Sequence, residues 1–389
     1  NVKHYDHYLG THWSANNGSD MSSWEINPFP KVKYSKISDC RVLINPSSGG
    51  TEAANKSFIQ HEIVDFIDKY PETVIIGKGK DLKYLQDFRN GKIKLGLGIG
   101  CDMDKHIRFK KGQLVIFMGH DNVGKTYFYT WYALCLALKH GTKFCFWTGE
   151  NSSGNVMRDL IQMYEGKPFH EIPMTQIHST YAYLEQFFEF VDNSKLYKPE
   201  ELFEVFEKSD ADACLIDPFT GLDRDMTHQG NYKFLNSARE FTNRTQKTVY
   251  VSSHPNSEAG RAGNVYPEGH EFCGHLRAPL KANIEGGKSF LNRTDDMFTV
   301  HRLVAHPTMK FETMVTVEKI KDRVTGGECT NLNEPLLFNF NNGNGFTQGH
   351  NNPLRSILGN TTKEIFKEPT NDAIKNFRKS TESVDDFPF

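Results

Sequence analysis

Short apolar runs of strand length alternate along most of this chain with longer stretches whose apolar residues recur every three or four positions. Leu114–Met118 is five apolar residues in a row, the pattern of a strand buried on both faces. Tyr127–Leu138 is apolar over the length of a helix and is closed by Gly141. Further strands are predicted over Lys143–Thr148, Ala213–Ile216, Thr248–Ser252, Met297–Arg302, Thr313–Ile320 and Leu336–Phe340, the last meeting an Asn342-Gly343 hairpin turn. Helices are predicted over Gly154–Tyr164, Thr180–Val191, Pro199–Lys208 and Asn231–Gln246, with Asn151-Ser152-Ser153 supplying cap residues before the first. Strands alternating with helices predict an α/β fold, a mostly parallel sheet with helices on both faces.

The flanks read differently. Residues 1–40 are rich in Asn, Ser, Gly and His, show little periodicity and predict irregular structure. Arg41–Asn45 suggests a short strand, followed by an ordinary Pro46–Gly50 turn. Phe58–Tyr70 places Phe58, Ile59, Ile63, Phe66 and Ile67 on one side of a helix, Val74–Ile76 suggests a strand and Lys80–Phe88 a second helix. Asn256–Asn292 is polar, glycine-rich and too long for an ordinary connection, which predicts a functional or mobile loop. From Gln348 the chain turns polar. Three regions are expected: an N-terminal region or linker over 1–94, a catalytic domain over 95–350 and a disordered tail over 351–389.

Charge changes the picture little. With 46 basic against 48 acidic residues, no global field points to a polyanion, although a ring of subunits can concentrate a few cations in a pore. The seven cysteines are scattered and form no C-x-x-C pair, as expected of reduced thiols in a cytoplasmic protein. His270, Cys273 and His275 lie close in sequence, but a lone cluster in a polar loop is a poor zinc signature. No apolar run reaches membrane-spanning length and the N-terminus has no signal-peptide pattern, so no membrane role is expected.

Candidate chemistry is concentrated after Leu114–Met118. Gly119-His120-Asp121-Asn122-Val123-Gly124-Lys125-Thr126 fits the phosphate-loop pattern G-x-x-x-x-G-K-[ST], between a strand and a helix as phosphate binding requires. The turn aims backbone N–H groups and the positive end of the helix at an anion. Lys125 would reach the outer phosphates and the Thr126 hydroxyl would ligate Mg²⁺. Asp217 closes an apolar strand, where its carboxylate could hold Mg²⁺ directly or through water. Glu150, after the next strand, could orient and deprotonate the attacking water. His254 could touch the γ-phosphate and report its loss, or be a plain loop histidine before Pro255. The cofactors expected are ATP, dTTP or another nucleoside triphosphate, with Mg²⁺.

These motifs, in this order over Leu95–Thr347, resemble the hexameric, RecA-like replicative helicases of the DnaB type. They look closest to the helicase half of phage primase–helicases and Twinkle. The resemblance implies a RecA-like P-loop NTPase domain that unwinds duplex DNA while moving on a single strand. By the same resemblance, Glu318–Glu328 matches the segment carrying the lysine and arginine finger, so Lys321 and Arg323 would act at a neighbouring subunit's γ-phosphate. A cation supplied in trans is worth several powers of ten in rate, so isolated subunits should hydrolyse poorly. The family's DNA-contacting loops correspond to Asp223–Gly230 and Ala278–Arg293, the latter holding Lys281, Gly286, Gly287, Lys288 and Arg293. The family commonly has glutamine or histidine as sensor; here Pro255 follows His254 and would stiffen the link to the DNA loop.

The partners implied are single-stranded DNA, forked duplex and copies of the chain in a homohexamer or heptamer. The segment before residue 95 would be a linker and packing helix for that ring, or the remnant of a primase domain. At the other end Asp385, Asp386, Phe387 and Phe389 resemble the acidic, Phe-terminated tips that dock on replication partners, implying contact with a polymerase, primase or single-strand-binding protein. Two rival readings share the nucleotide site: a RecA-like recombination or repair ATPase forming filaments on DNA, and a replisome adaptor that uses nucleotide only as a switch.

Overall fold

The computed structural model describes residues 80–341 and 345–359. The elements expected over Arg41–Ile76, the Asn342-Gly343 turn and the acidic-aromatic tip at 385–389 lie outside the described residues. The chain divides into two units, Asn1–Lys92 and Ile93–Phe389. In the first, helix α1 (Lys80–Arg89) presents Leu82, Tyr84, Leu85 and Phe88 exposed. No helix among the described residues is long and apolar enough to cross a membrane.

The second unit is built on a nine-stranded sheet. In chain order its strands are β1 (Leu114–Met118), β2 (Phe144–Thr148), β3 (Phe188–Phe190), β4 (Ala213–Asp217), β5 (Thr248–Ser253), β6 (Asp296–Arg302), β7 (Glu312–Ile320), β8 (Leu336–Asn341) and β9 (Gly345–Thr347). They lie in the order β3-β2-β4-β5-β1-β6-β7-β8-β9. Pairing is parallel from β3 to β6 and antiparallel from β6 to β9. Because side chains alternate along a strand, continuous apolar runs are buried on both sides. Val115 and Phe117 enter one core with α2 (Lys125–His140) and α3 (Ser153–Glu165). Leu114, Ile116 and Met118 enter the other with α5 (Pro199–Lys208) and α6 (His228–Thr245).

The first core is aromatic. Phe128 meets Phe338 and Phe346 at 5.2 and 5.1 Å between ring centroids, and Trp131 meets Phe346 at 5.3 Å. These contacts fasten β8 and β9 to α2. Gly345, with φ of 79°, lies so close to Trp131 that a Cβ would stand 2.4 Å from Cδ1 of the indole.

One expected helix is corrected. Instead of Thr180–Val191, helix α4 runs over Met174–Leu184 and gives way to β3. Phe188 is buried, Glu189 exposed, and the Phe188 ring stacks on Phe144 at 5.6 Å. Pairing with the open edge of β2, together with that burial, overrides local helix propensity. The long polar segment after β5 carries short helical turns and ends in α7 (Lys288–Arg293).

Two carboxylates open β6. Asp295 accepts from Leu114 N–H at 3.0 Å, from Arg239 at 2.5 and 2.6 Å and from Lys321 at 2.9 Å. Asp296 has a fully covered side chain, 3.9 Å from Lys110 Nζ. Burial, opposed chiefly by Lys110, raises the Asp296 pKa to about 6. Its folded pKa lies above its unfolded value, so the stability it contributes is present in acid and lost as pH rises through about 6. Asp296→Asn should therefore gain stability relative to the parent as pH rises from about 4.5 to about 7.5, by about 2 kcal/mol. Urea melts at several pH values measure this, and a pH-independent difference would mean that the carboxyl does not titrate in that window.

Candidate functional site

Parallel strands deliver their C-terminal ends to one edge of a sheet, and in an open α/β sheet that edge is where ligands sit. Here β1 leads into the turn 119–126 and α2. Met118 pairs with Ser253, which sets His254 beside the turn, and Thr148 pairs with Asp217, which sets Glu150 just beyond the Asp217 carboxylate. The result is a cleft of about 800 Å³ lined by Lys125, Thr126, Glu150, Asp217 and His254 together with His120, Asp121, Asn122 and Gly124. Its size suits a nucleotide.

The turn is shaped by close approach. A Cβ on Gly119 would stand 2.3 Å from Val300 O, so β6 presses against the start of the loop and admits only glycine. Gly124 adopts φ of 86°, the left-handed conformation, and starts α2 so that Lys125 and Thr126 form its first turn. Lys125 is 8% exposed, and its ammonium donates to Gly119 O and His120 O, each at 3.0 Å. Burial lowers its pKa, opposed by Asp217, Asp121 and Glu150. Thr126 Oγ1 donates to Asp217 Oδ2 at 2.5 Å.

The turn carrying Glu150 is held by side chains that sequence patterns do not single out. Asn193 Nδ2 donates to Thr148 O at 2.8 Å and Asn151 O at 3.0 Å, and Thr148 Oγ1 donates to Asn151 O at 2.7 Å. Glu150 itself is exposed to the cleft. His254 Nδ1 stands 2.8 Å from Asp121 Oδ1, close enough to pair when protonated but out of line for a hydrogen bond. Arg302, at the end of β6, donates to Asn122 O at 3.1 Å and so braces the phosphate loop from outside. From α3, Asn155, Arg158 and Asp159 complete the far wall, and burial raises the Asp159 pKa. Only the three-dimensional packing identifies Asn193, Arg302 and these α3 residues.

Lys321 and Arg323 are not among the residues lining the cleft. Lys321, one residue past β7, is held on Asp295, and Arg323 stands exposed at the first position of the short helix α8 (Arg323–Gly326). In the segment Ala278–Arg293, Lys281 donates through its N–H to Glu318 Oε2 at 2.7 Å and through Nζ to Glu318 O at 3.2 Å. Gly286 and Gly287 have φ of 95° and 81°, Lys288 is exposed, and Arg293 bonds the Tyr232 hydroxyl with its guanidinium 4.9 Å from that ring. This last contact joins the segment to α6 and hence to Asp223–Gly230.

These residues fit a nucleoside triphosphate with Mg²⁺. The cation at Lys125 is satisfied by the loop's own carbonyls, which a phosphate oxygen would outcompete. Thr126 and Asp217 present the oxygen donors a hard cation takes. Among solved structures, one ATPase domain superposes with a TM-score of 0.54 at 11% identity, covering 70% of this chain and 99% of its own. A DnaB-like replicative helicase, solved in a study of its interactions with primase, gives 0.55 at 11% identity, covering 76% and 73%. The chain thus has the RecA-like fold of these domains. No protein-family model matches it, and no curated protein does.

If the ammonium of Lys125 is the phosphate ligand, Lys125→Ala should cut Mg²⁺-dependent triphosphate turnover by at least about 100-fold. A phosphate-release assay at saturating nucleotide measures it, and turnover within a few-fold of the parent would remove the loop from the site.

Proposed function

We propose that this chain is a replicative-type DNA helicase: a ring of identical subunits that hydrolyses a nucleoside triphosphate at its interfaces, moves along single-stranded DNA and separates a forked duplex. The observation that carries the reading is the convergence of four strand ends on one cleft, with the Thr126–Asp217 bond at its centre and Glu150 and His254 facing it. A structural switch would need the cradle but not a carboxylate placed for a water.

In this reading Lys125 leaves the Gly119 and His120 carbonyls and takes the outer phosphate oxygens. Thr126 and Asp217 are the residues that would hold Mg²⁺, which would offset negative charge developing on the phosphates. Glu150, held by the Asn193-braced turn, orients a water and accepts its proton. His254 senses the γ-phosphate next to Asp121. Arg323, exposed and outside the cleft's lining, suits a donor to a neighbour's site, with Lys321 fixed beside it by Asp295. The exposed apolar side of α1 suits a helix that packs within the ring. Lys281, Gly286, Gly287, Lys288 and Arg293 would grip the strand, and Asp385, Asp386, Phe387 and Phe389 would dock a replication partner.

A strand-separation assay on forked DNA tests the reading directly: unwinding is expected with hydrolysable nucleotide and not with an analogue. Efficient DNA-stimulated hydrolysis without any strand separation would favour a filament-forming ATPase. Arg323→Ala subunits titrated into wild-type rings should depress hydrolysis out of proportion to their share. Loss in simple proportion would remove Arg323 from the neighbour's site.

A further inference from the structure

Between β5 and α7 the chain makes an excursion that is anchored at its root by two histidines. Its outer part folds back as a narrow finger over residues 264–277. Arg277 N–H donates to Asn264 O at 2.9 Å, Tyr266 N–H to His275 O at 2.9 Å and Gly274 N–H to Tyr266 O at 3.1 Å. At the finger's exit, His301 Nε2 lies 3.1 Å from Leu276 O and His120 Nε2 lies 3.2 Å from Arg277 O. The two rings meet edge to face, with centroids 5.8 Å apart. A carbonyl can only accept, so each ring carries its proton on Nε2. His301 is 2% exposed, and its Nδ1 is buried with no hydrogen-bond partner among the described residues. Burial pushes the His301 pKa down to about 4, with His120 adding to the effect, and burial also lowers that of His120. Both rings are therefore neutral donors near pH 7.

Leu276 and Arg277 immediately precede Ala278–Arg293, the candidate DNA loop. That loop is tied to the cleft a second time, where Glu285 N–H donates to His254 O at 3.1 Å. On the other side of the histidines, the His120 carbonyl accepts from Lys125 Nζ at 3.0 Å. A line of direct contacts thus runs from the ammonium through the His120 peptide and ring to the Arg277 carbonyl. A phosphate that draws Lys125 away frees the His120 peptide, so this line has two arrangements that a ligand can bias. His301 holds the neighbouring carbonyl from rigid β6 and packs against the His120 ring, so the root can pivot about Leu276 rather than drift.

We propose that His301 and His120 are positioning residues that fix the root of the Ala278–Arg293 loop to the phosphate loop, so that filling the cleft resets that loop's grip on single-stranded DNA. The proposal rests on the helicase reading of both the cleft and the loop. His301 is not among the residues lining the cleft, so it acts only through its neighbours. The test uses the full chain with His301→Phe, which keeps a ring but removes the donor, and His301→Gln, whose amide can donate from near the place of Nε2. Affinity for a labelled oligo-dT strand is measured with and without Mg²⁺ and a nonhydrolysable ATP analogue, alongside analogue affinity in the absence of DNA. Wild type should bind the strand about tenfold tighter with the analogue. His301→Phe should lose most of that ratio while keeping the analogue affinity, and His301→Gln should recover it. If His301→Phe does not fold, His301→Leu takes its place. A wild-type ratio preserved in the donor-less variant, or a Gln variant no better than Phe, overturns the proposal alone. A wild-type ratio of one overturns the reading of cleft and loop, and the proposal with it.

Discussion

A buried ammonium satisfied by carbonyls alone is the constraint on which the cleft depends. Lys125 is taken largely out of water, and among the described residues no carboxylate lies within ion-pair distance of its Nζ. Removing a charge from water costs several kcal/mol unless a partner compensates. Asp217, Asp121 and Glu150 favour the charged form from farther off without quenching it. Such a group is poised for an anion that can displace two weak acceptors. The surrounding architecture reads as the means of holding that cation in place.

That architecture follows from the sheet. Five apolar residues in β1 need cover on both faces, which brings α2 to one side and α6 to the other. Parallel neighbours then deliver Asp217, Glu150 and His254 to the same edge as the phosphate loop, at or just past a paired strand position. The close approach of β6 to Gly119 makes the loop rigid from behind, and Arg302 holds it from the side. Binding and catalysis would draw on positions set by backbone registers rather than by flexible side chains.

Much of this was legible from residue order because local and global preferences agree at the centre of the fold. The strand–turn–helix around Gly119–Thr126 announces itself by apolar runs and glycines, and Asp217 by ending a buried strand. Legibility fails where tertiary contacts decide. Phe188–Phe190 reads as the end of a helix until the open edge of β2 and the Phe144 ring are in place. Asn193 and Arg302 carry no motif, since their partners are backbone carbonyls far away in sequence. The contacts of the two histidines at the finger's root are invisible for the same reason, although the motif already holds His120: 25 residues separate His301 from Leu276, and 157 separate His120 from Arg277.

The most direct measurement is a crystal structure of the chain with Mg²⁺ and a nonhydrolysable triphosphate. The account predicts the β- and γ-phosphates inside the turn 119–126, the metal between the Thr126 hydroxyl and the Asp217 carboxylate, and Lys125 Nζ on phosphate oxygen. A triphosphate bound elsewhere, with Lys125 still on the Gly119 and His120 carbonyls, would contradict it.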